Sequence, residues 1–144
     1  MIITLDKIKE MWKEDSKIEE DLLDNESLKI PQLHSKYLNL LSDAKLTKNK
    51  YEFDYKNLYK EKWEYYSGKA SDEIYKEKPF NLKILKQDIP IYIESDKDIQ
   101  TLQGRIIYYK EYIFFLEKVL DNINIRGFQI KNCIDWRKFM NGVV

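Results

Sequence analysis

Lys60 and Lys62, followed by Tyr65, Tyr66 and Lys69, are the densest set of residues in the chain whose types could do chemistry. Lysine ammonium groups attract phosphates, and the counterions released make such binding salt-dependent. Tyrosine rings offer faces on which unstacked bases stack without sequence preference. Lys56 precedes Lys60 by one helical turn, and Arg126 and Lys131 belong to a second basic cluster. A plain alternative exists, because basic residues near a helix end also complement the helix dipole. Tyrosine is equally ambiguous: its apolar ring and polar tip serve packing as well as stacking.

Other chemistries find little support. The four glycines, at 68, 104, 127 and 142, are too far apart to cradle a phosphate in one loop. His34 is the single histidine, so neither a histidine-based metal cluster nor a nucleophile–histidine pair can form within one chain, and it reads as a helix-surface residue. Cys133 is the single cysteine and reads as an indifferent thiol among apolar neighbours. The carboxylates lie among lysines at spacings that support helices, and none stands out as an acid–base couple. A non-enzymatic protein needing no cofactor or metal is expected.

The elements that must position these residues are mostly helical. Across 144 residues, 35% are charged and 43% hydrophobic, with only 4 glycines and 3 prolines, which suits long exposed helices. The zero net charge hides segregation. Residues 1–30 carry five lysines against nine acids, whereas residues 45–69 carry seven lysines against four acids, and residues 126–140 four basic residues against one acid. One acidic arm and two basic surfaces are therefore expected. Glu19-Glu20-Asp21 reads either as a solvated face or as a dock for a basic partner. Met1 to Leu5 leads straight into charged residues, and the apolar stretch from Tyr112 to Leu116 is far too short to span a bilayer, so a cytoplasmic protein without membrane contact is expected.

Leu5, Ile8 and Trp12, continued by Ile18 and Leu22, predict an amphipathic helix over 5–24. A long helix from Pro31 to Ser67 follows, with proline in its first turn and Gly68 just past its end. Tyr37, Ala44, Tyr51, Leu58 and Tyr65 recur every seven residues along it, while Thr47, Asp54 and Glu61 interrupt the second position of a simple coiled coil. Lys69 to Lys78 reads as a charged loop. Leu82 with Ile84, and Ile89, Ile91 and Ile93 around Pro90, alternate as a small β-hairpin or strand pair would. Ser95 with Asp98 resembles a capping box opening a second long helix, which Gly127 is expected to stop. Its seam is Ile99, Leu102, Ile106, Tyr109, Ile113, Leu116, Leu120 and Ile123, flanked by Ile107, Phe114, Phe115 and Val119. So wide an apolar surface needs cover on several sides, which predicts a homo-oligomer; a closed intrachain bundle is the alternative. A last helix over 132–141, capped by Asn132, would turn Trp136 and Phe139 to the core. The expected fold is mainly α in a single domain: a helical part over 1–68 with its basic end, loop and strands over 69–95, and an oligomerising helical part over 96–144.

Three stretches resemble the UvsY family of recombination mediators from T-even-like phages. Lys60-Glu-Lys62-Trp-Glu-Tyr-Tyr-Ser-Gly68 is similar to the family's basic motif and its acid-Tyr-Tyr-Ser-Gly sequel. Asn124-Ile-Arg-Gly-Phe-Gln-Ile-Lys131, with Asp135 to Phe139 beyond, is similar to an Arg-Gly-Phe-x-Ile-Lys element. Ser35-Lys36-Tyr37-Leu38-Asn39 is similar to a Ser-Lys-Trp-Leu-Asn stretch. They keep one order across about residues 30–140. The resemblance implies a ring-like homo-oligomer, hexamer or heptamer, that binds single-stranded DNA. It implies help in loading a RecA-like recombinase onto DNA covered by the phage single-strand-binding protein, in the service of recombination, repair and replication, with no nucleotide hydrolysis. The family has arginine where Lys62 stands; lysine keeps the charge and lacks the bidentate fork. A scaffold or adaptor built from the same helices, its lysines merely solvated, is the alternative reading.

Overall fold

The computed structural model describes residues 3–142, and among these it is helical without a β-strand. The order is α1 (Leu5–Asp15), a 3₁₀ turn (Glu20–Leu22), α2 (Leu23–Leu28), α3 (Ile30–Tyr66), α4 (Asp72–Glu77), a 3₁₀ turn (Lys86–Asp88), α5 (Ile89–Glu94) and α6 (Lys97–Met140). The chain forms two compact units, to both of which α3 and α6 contribute. One comprises the residues up to Lys45 and from Glu111 onward, the other Leu46–Lys110.

In the first unit the seven-residue stripe of α3 points inward: Tyr37 and Ala44 are buried, with Leu41 beside them. Ile8, Leu23, Tyr112, Leu116, Val119, Leu120, Ile123 and Ile130 complete the core. The Tyr37 hydroxyl donates to Asp15 Oδ2 at 2.7 Å, and its ring meets Trp12 edge to face at 5.5 Å. Helix α1 begins where Thr4 Oγ1 accepts from the Lys7 amide.

The helix expected over 5–24 stops at Asp15. To continue it, the Asp15 carbonyl would have to accept from the residue 19 amide. Arg126 takes that carbonyl instead, Nη1 to Asp15 O at 2.9 Å, and Nη2 takes Lys17 O at 3.0 Å and Glu26 Oε2 at 2.9 Å. The chain bends there and re-enters a helix that buries Leu23 while leaving Leu22 exposed.

In the second unit, Ile89, Ile93 and Ile99 form the core against Tyr55, Leu58, Tyr59, Trp63, Tyr66 and Ile84. The expected hairpin is absent. Ile89-Pro-Ile-Tyr-Ile93 is helical, with Pro90 in the first turn, where its missing N–H costs nothing. An alternating Ile-x-Ile-x-Ile pattern also places its first and fifth residues on one helical face. Ile89 and Ile93 are buried, whereas Ile91 is exposed. The charged segment expected as a loop carries α4, tied down where Tyr75 donates to the Tyr65 carbonyl at 2.7 Å.

Both long helices end on glycine, but not both where the sequence suggests. Gly68 adopts φ 80°, and its amide and that of Lys69 bond back to Tyr65 O and Glu64 O, closing α3 in the Schellman manner. Gly127 does not stop α6. Ile123, Arg126 and Ile130 are buried along one face around it, and that anchoring outweighs the roughly 1 kcal/mol cost of a helical glycine. The separate helix over 132–141 is therefore the end of α6, and Gly142 (φ 72°) follows it. Trp136 and Phe139, expected in the core, stack on each other at 5.6 Å and are 61% and 71% exposed. The start of α6 differs too: Asp96 is its cap, Oδ1 accepting from the Asp98 and Ile99 amides, while Ser95 Oγ donates back to Ile91 O and Tyr92 O.

A Cβ added at Gly127 would meet only Ile30 Cδ1, at 3.9 Å, and one at Gly104 nothing within 4 Å. Gly104→Ala and Gly127→Ala should each therefore raise the unfolding free energy by about 0.5–1 kcal/mol in urea denaturation. Destabilisation by Gly127→Ala would mean that α6 does not run through that position.

Candidate nucleic-acid interface

Lys60 and Lys62 are two residues apart on α3 and so point different ways. Lys62 turns inward to the start of α6. Its Nζ lies 2.8 Å from Asp98 Oδ2 and 3.2 Å from Asp96 Oδ2, and Tyr66 Oη donates to the same Asp96 oxygen at 2.7 Å. Burial pulls the Asp96 carboxyl up, but hydrogen bonds from Tyr66, Lys62 and the Ile99 amide, with the Lys62 charge, hold it below the usual carboxylate range. Burial likewise pulls Lys62 down, and its two aspartate partners more than reverse this, so its ammonium group holds its proton more tightly than usual. Lys62 thus ties α3 to the cap of α6, with its charge already answered by two carboxylates.

The tyrosines are also engaged. Tyr65 stacks on Tyr75 at 5.5 Å and lies 5.4 Å from Phe80, while Tyr66 meets Phe80 edge-on at 5.1 Å and Tyr92 at 5.8 Å. Burial and the bond to Asp96 push the Tyr66 phenol well above its ordinary range. Rings so packed have their faces taken by other rings, so they hold α4 and the following segment in place.

Lys56, Lys60 and Lys69 are exposed, and none of the three forms an ion pair with a carboxylate among the described residues. Lys56 Nζ lies 5.8 Å from the centre of the exposed Phe53 ring, and Lys69 Nζ lies 4.9 Å from that of Trp63. Phe53, Lys56 and Lys60 share one face of α3. In the other unit, Arg126 is 3% exposed with its three acceptors, so it is internal and does not belong to a surface patch. Lys131 is exposed and pairs with Asp135 one turn away at 3.4 Å. The sequence places Asp98 at the start of a helix but does not pair it or Asp96 with Lys62; for Asp96 the one signal is an aspartate just before that start.

The apolar seam of α6 lies largely within the chain. Ile99, Leu102, Ile106, Leu116, Leu120 and Ile123 are buried in it, and Tyr109 and Ile113 are half-buried. What α6 leaves open is the flank: Ile107, Phe114, Ile125, Phe128, Trp136 and Phe139. Among the described residues no group of three or more His, Cys, Asp or Glu is placed to hold a metal ion, and no helix is long and apolar enough to cross a membrane.

Comparison with known proteins gives one consistent answer. A family model described as "Recombination, repair and ssDNA binding protein UvsY" matches residues 11–143. The recombination protein uvsY of Enterobacteria phage T4 is 28% identical over 138 residues, covering 96% of this chain and 98% of its own length. Crystal structures of the bacteriophage T4 recombination mediator protein UvsY superpose with TM-scores of 0.86 in lattice type II and 0.81 in lattice type IV. Their identities are 28% and 27%; each match covers 96% of this chain, and 98% and 99% of theirs.

The different settings of the two lysines have a measurable consequence. Lys62→Ala should lower the unfolding free energy by roughly 1.5–3 kcal/mol, the scale of a hydrogen bond to a charged group, while Lys60→Ala should stay within about 0.5 kcal/mol. The pH profile follows from the directions of the shifts. Asp96 is depressed when folded, so its contribution is complete above its ordinary 3.8 and fades as pH falls through the folded value. Lys62 is raised, so its contribution is complete below its ordinary 10.5 and fades as pH rises through the folded value. The stability gap between the natural chain and Asp96→Asn, measured by urea denaturation, should be widest between about pH 5 and 10 and narrow on both sides.

Proposed function

The chain belongs to the UvsY family, and on that footing we propose that it binds single-stranded DNA and mediates recombination. In this reading it helps a RecA-like recombinase take over a strand covered by a single-strand-binding protein, in the cytoplasm of the infected host. It does so without catalysis. A protein that makes and breaks no covalent bond can still redirect this exchange, provided it prefers one strand shape over another; only such a difference in affinity shifts the balance.

The observation that carries the reading is the family match over residues 11–143 joined to the exposed ammonium of Lys60, which stands in the stretch that resembles the family's basic motif. Beside it Lys62 is held inside the fold, so Lys60, with Lys56 and Lys69 nearby, is the phosphate-binding member. A single exposed lysine binds weakly, and repetition around a ring of six or seven copies would multiply its effect. Ile125, Phe128, Trp136 and Phe139, all exposed on α6, support such self-association, since large apolar side chains clustered on a surface mark protein contacts.

Anisotropy of a labelled oligo(dT) should show binding without ATP or divalent metal, weakening steeply with salt. Lys60→Ala should reduce the salt slope by about 0.7 per engaged subunit, one phosphate contact on a single strand. Absence of salt-dependent binding would favour a scaffold that does not touch DNA. Light scattering should give a mass well above a dimer; a mass near 17.5 kDa would overturn the ring.

A further inference from the structure

Several grooves open on the second unit, and three of them, lined by α3 and its neighbours, differ in charge. One, of about 580 Å³, sets Glu61, Glu64, Glu77 and Asp98 against Lys62, Lys69 and Lys78. Since Lys62 is already bound to Asp96 and Asp98, this groove presents more negative than positive charge to a ligand. The next, about 470 Å³, sets Asp54, Glu61 and Asp98 against Arg105, whose guanidinium lies 5.7 Å from the Tyr51 ring. Neither lining carries the net positive charge that would favour a phosphate backbone.

The third groove, about 410 Å³, is different. Tyr55 of α3 and Ile106 and Ile107 of α6 give it apolar walls, and Lys56 and Lys110 stand on opposite sides, one from each helix. Its one carboxylate, Glu52, is neutralised by Lys48 at 3.3 Å. Gln103 adds an amide that can both donate and accept, as every base edge requires. The volume falls within the roughly 300–1,000 Å³ usual for small-ligand sites. Lys60 and the exposed Phe53 lie on the α3 face that carries Lys56, one turn to either side of it.

We infer that this groove between α3 and α6 receives an unstacked base of the bound strand, with Lys56 and Lys110 holding the phosphates on either side. The inference rests on the single-strand-binding reading above and gives it a location. Tyr55, anchored on the core of the unit, and the two isoleucines give the base an apolar wall, and the absence of an unpaired charge other than the two lysines discriminates little among bases, as a sequence-independent binder needs. The strand then continues along Phe53 and Lys60, away from the two acidic grooves. No residue of the resemblance other than Lys60 enters this path, and Lys110 and Gln103 lie outside every motif.

The test uses the full-length protein, fluorescein-labelled oligo(dT) across a salt series, and a second oligonucleotide carrying 5-iododeoxyuridine for photocrosslinking. Lys56→Ala/Lys110→Ala, both exposed positions, should weaken binding about tenfold and lower the salt slope by up to about 1.4 per engaged subunit, two phosphates' worth. Lys76→Ala/Lys78→Ala, beside the groove that Glu61, Glu64 and Glu77 line, should stay within about twofold. Circular dichroism and light scattering of each variant should match the natural chain. Crosslinks should map to residues 52–56 or 103–110. If the natural chain binds and Lys56→Ala/Lys110→Ala keeps its affinity and slope, or the crosslinks map elsewhere, the groove is wrong and the single-strand-binding reading stands. If the natural chain shows no salt-dependent binding, both fall.

Discussion

A cation removed from water must be given acceptors, and the first unit is arranged around one that is. Burying a guanidinium without partners costs several kcal/mol. Arg126 avoids most of that by taking the carbonyls of Asp15 and Lys17 and the carboxylate of Glu26, leaving only its Nε without a partner. Those three bonds decide where α1 ends, how the chain turns into α2, and which face of α6 is internal. Burial raises the Glu26 carboxyl, and its bonds from Arg126 and Lys29 bring it below its usual range, so it stays ionised opposite the guanidinium. Lys36 and Tyr37 do the same for Asp15. The charges that look surplus in the acidic N-terminal arm are in part the counterions of this interior.

The second unit repeats the device on a smaller scale. Asp96 caps α6 with one oxygen and receives Lys62 and Tyr66 on the other. One aspartate thereby joins helix start, ion pair and aromatic cluster. Because Lys62 and the tyrosines are consumed in this way, the family's basic motif divides its labour: part of it builds the end of α3 and part faces solvent. A loss of DNA binding on replacing Lys62 would accordingly reflect a disturbed frame as much as a missing phosphate contact. The departure from arginine at this position is compatible with that role, since a point charge between two carboxylates does not require a bidentate fork.

With Lys62 and Arg126 both held by acceptors, the positive charge left open to solvent on α3 is carried by exposed lysines such as Lys56 and Lys60, which have no carboxylate across from them. Their placement depends on helical phase. On α3, one step in sequence rotates a side chain by about 100°, so the lysine at 60 and the one at 62 end on different sides. The same phase leaves the outer flank of α6 apolar and open, while the inner seam is spent on the chain's own core.

Periodicity alone made much of this visible. The seven-residue stripe from Tyr37 to Tyr65, the proline and glycine at the ends of α3, and the run from Ile99 to Ile123 identify two long helices, because local spacing determines which side chains share a face. The motifs around Lys60 and Gly127 pointed to the family for the same reason: they are contiguous. What sequence could not settle were the decisions that depend on partners far along the chain. Ile89 to Ile93 satisfies both a strand and a helical period, and the core of the second unit selects the helix. Gly127 is a plausible stop until Arg126 and Ile130 are buried on either side of it. Lys62 and Arg126 look like Lys60 and Lys131 in a string of letters; only the fold, by bringing Asp96 and Glu26 to them, turns one member of each pair into a structural cation and leaves the other to solvent.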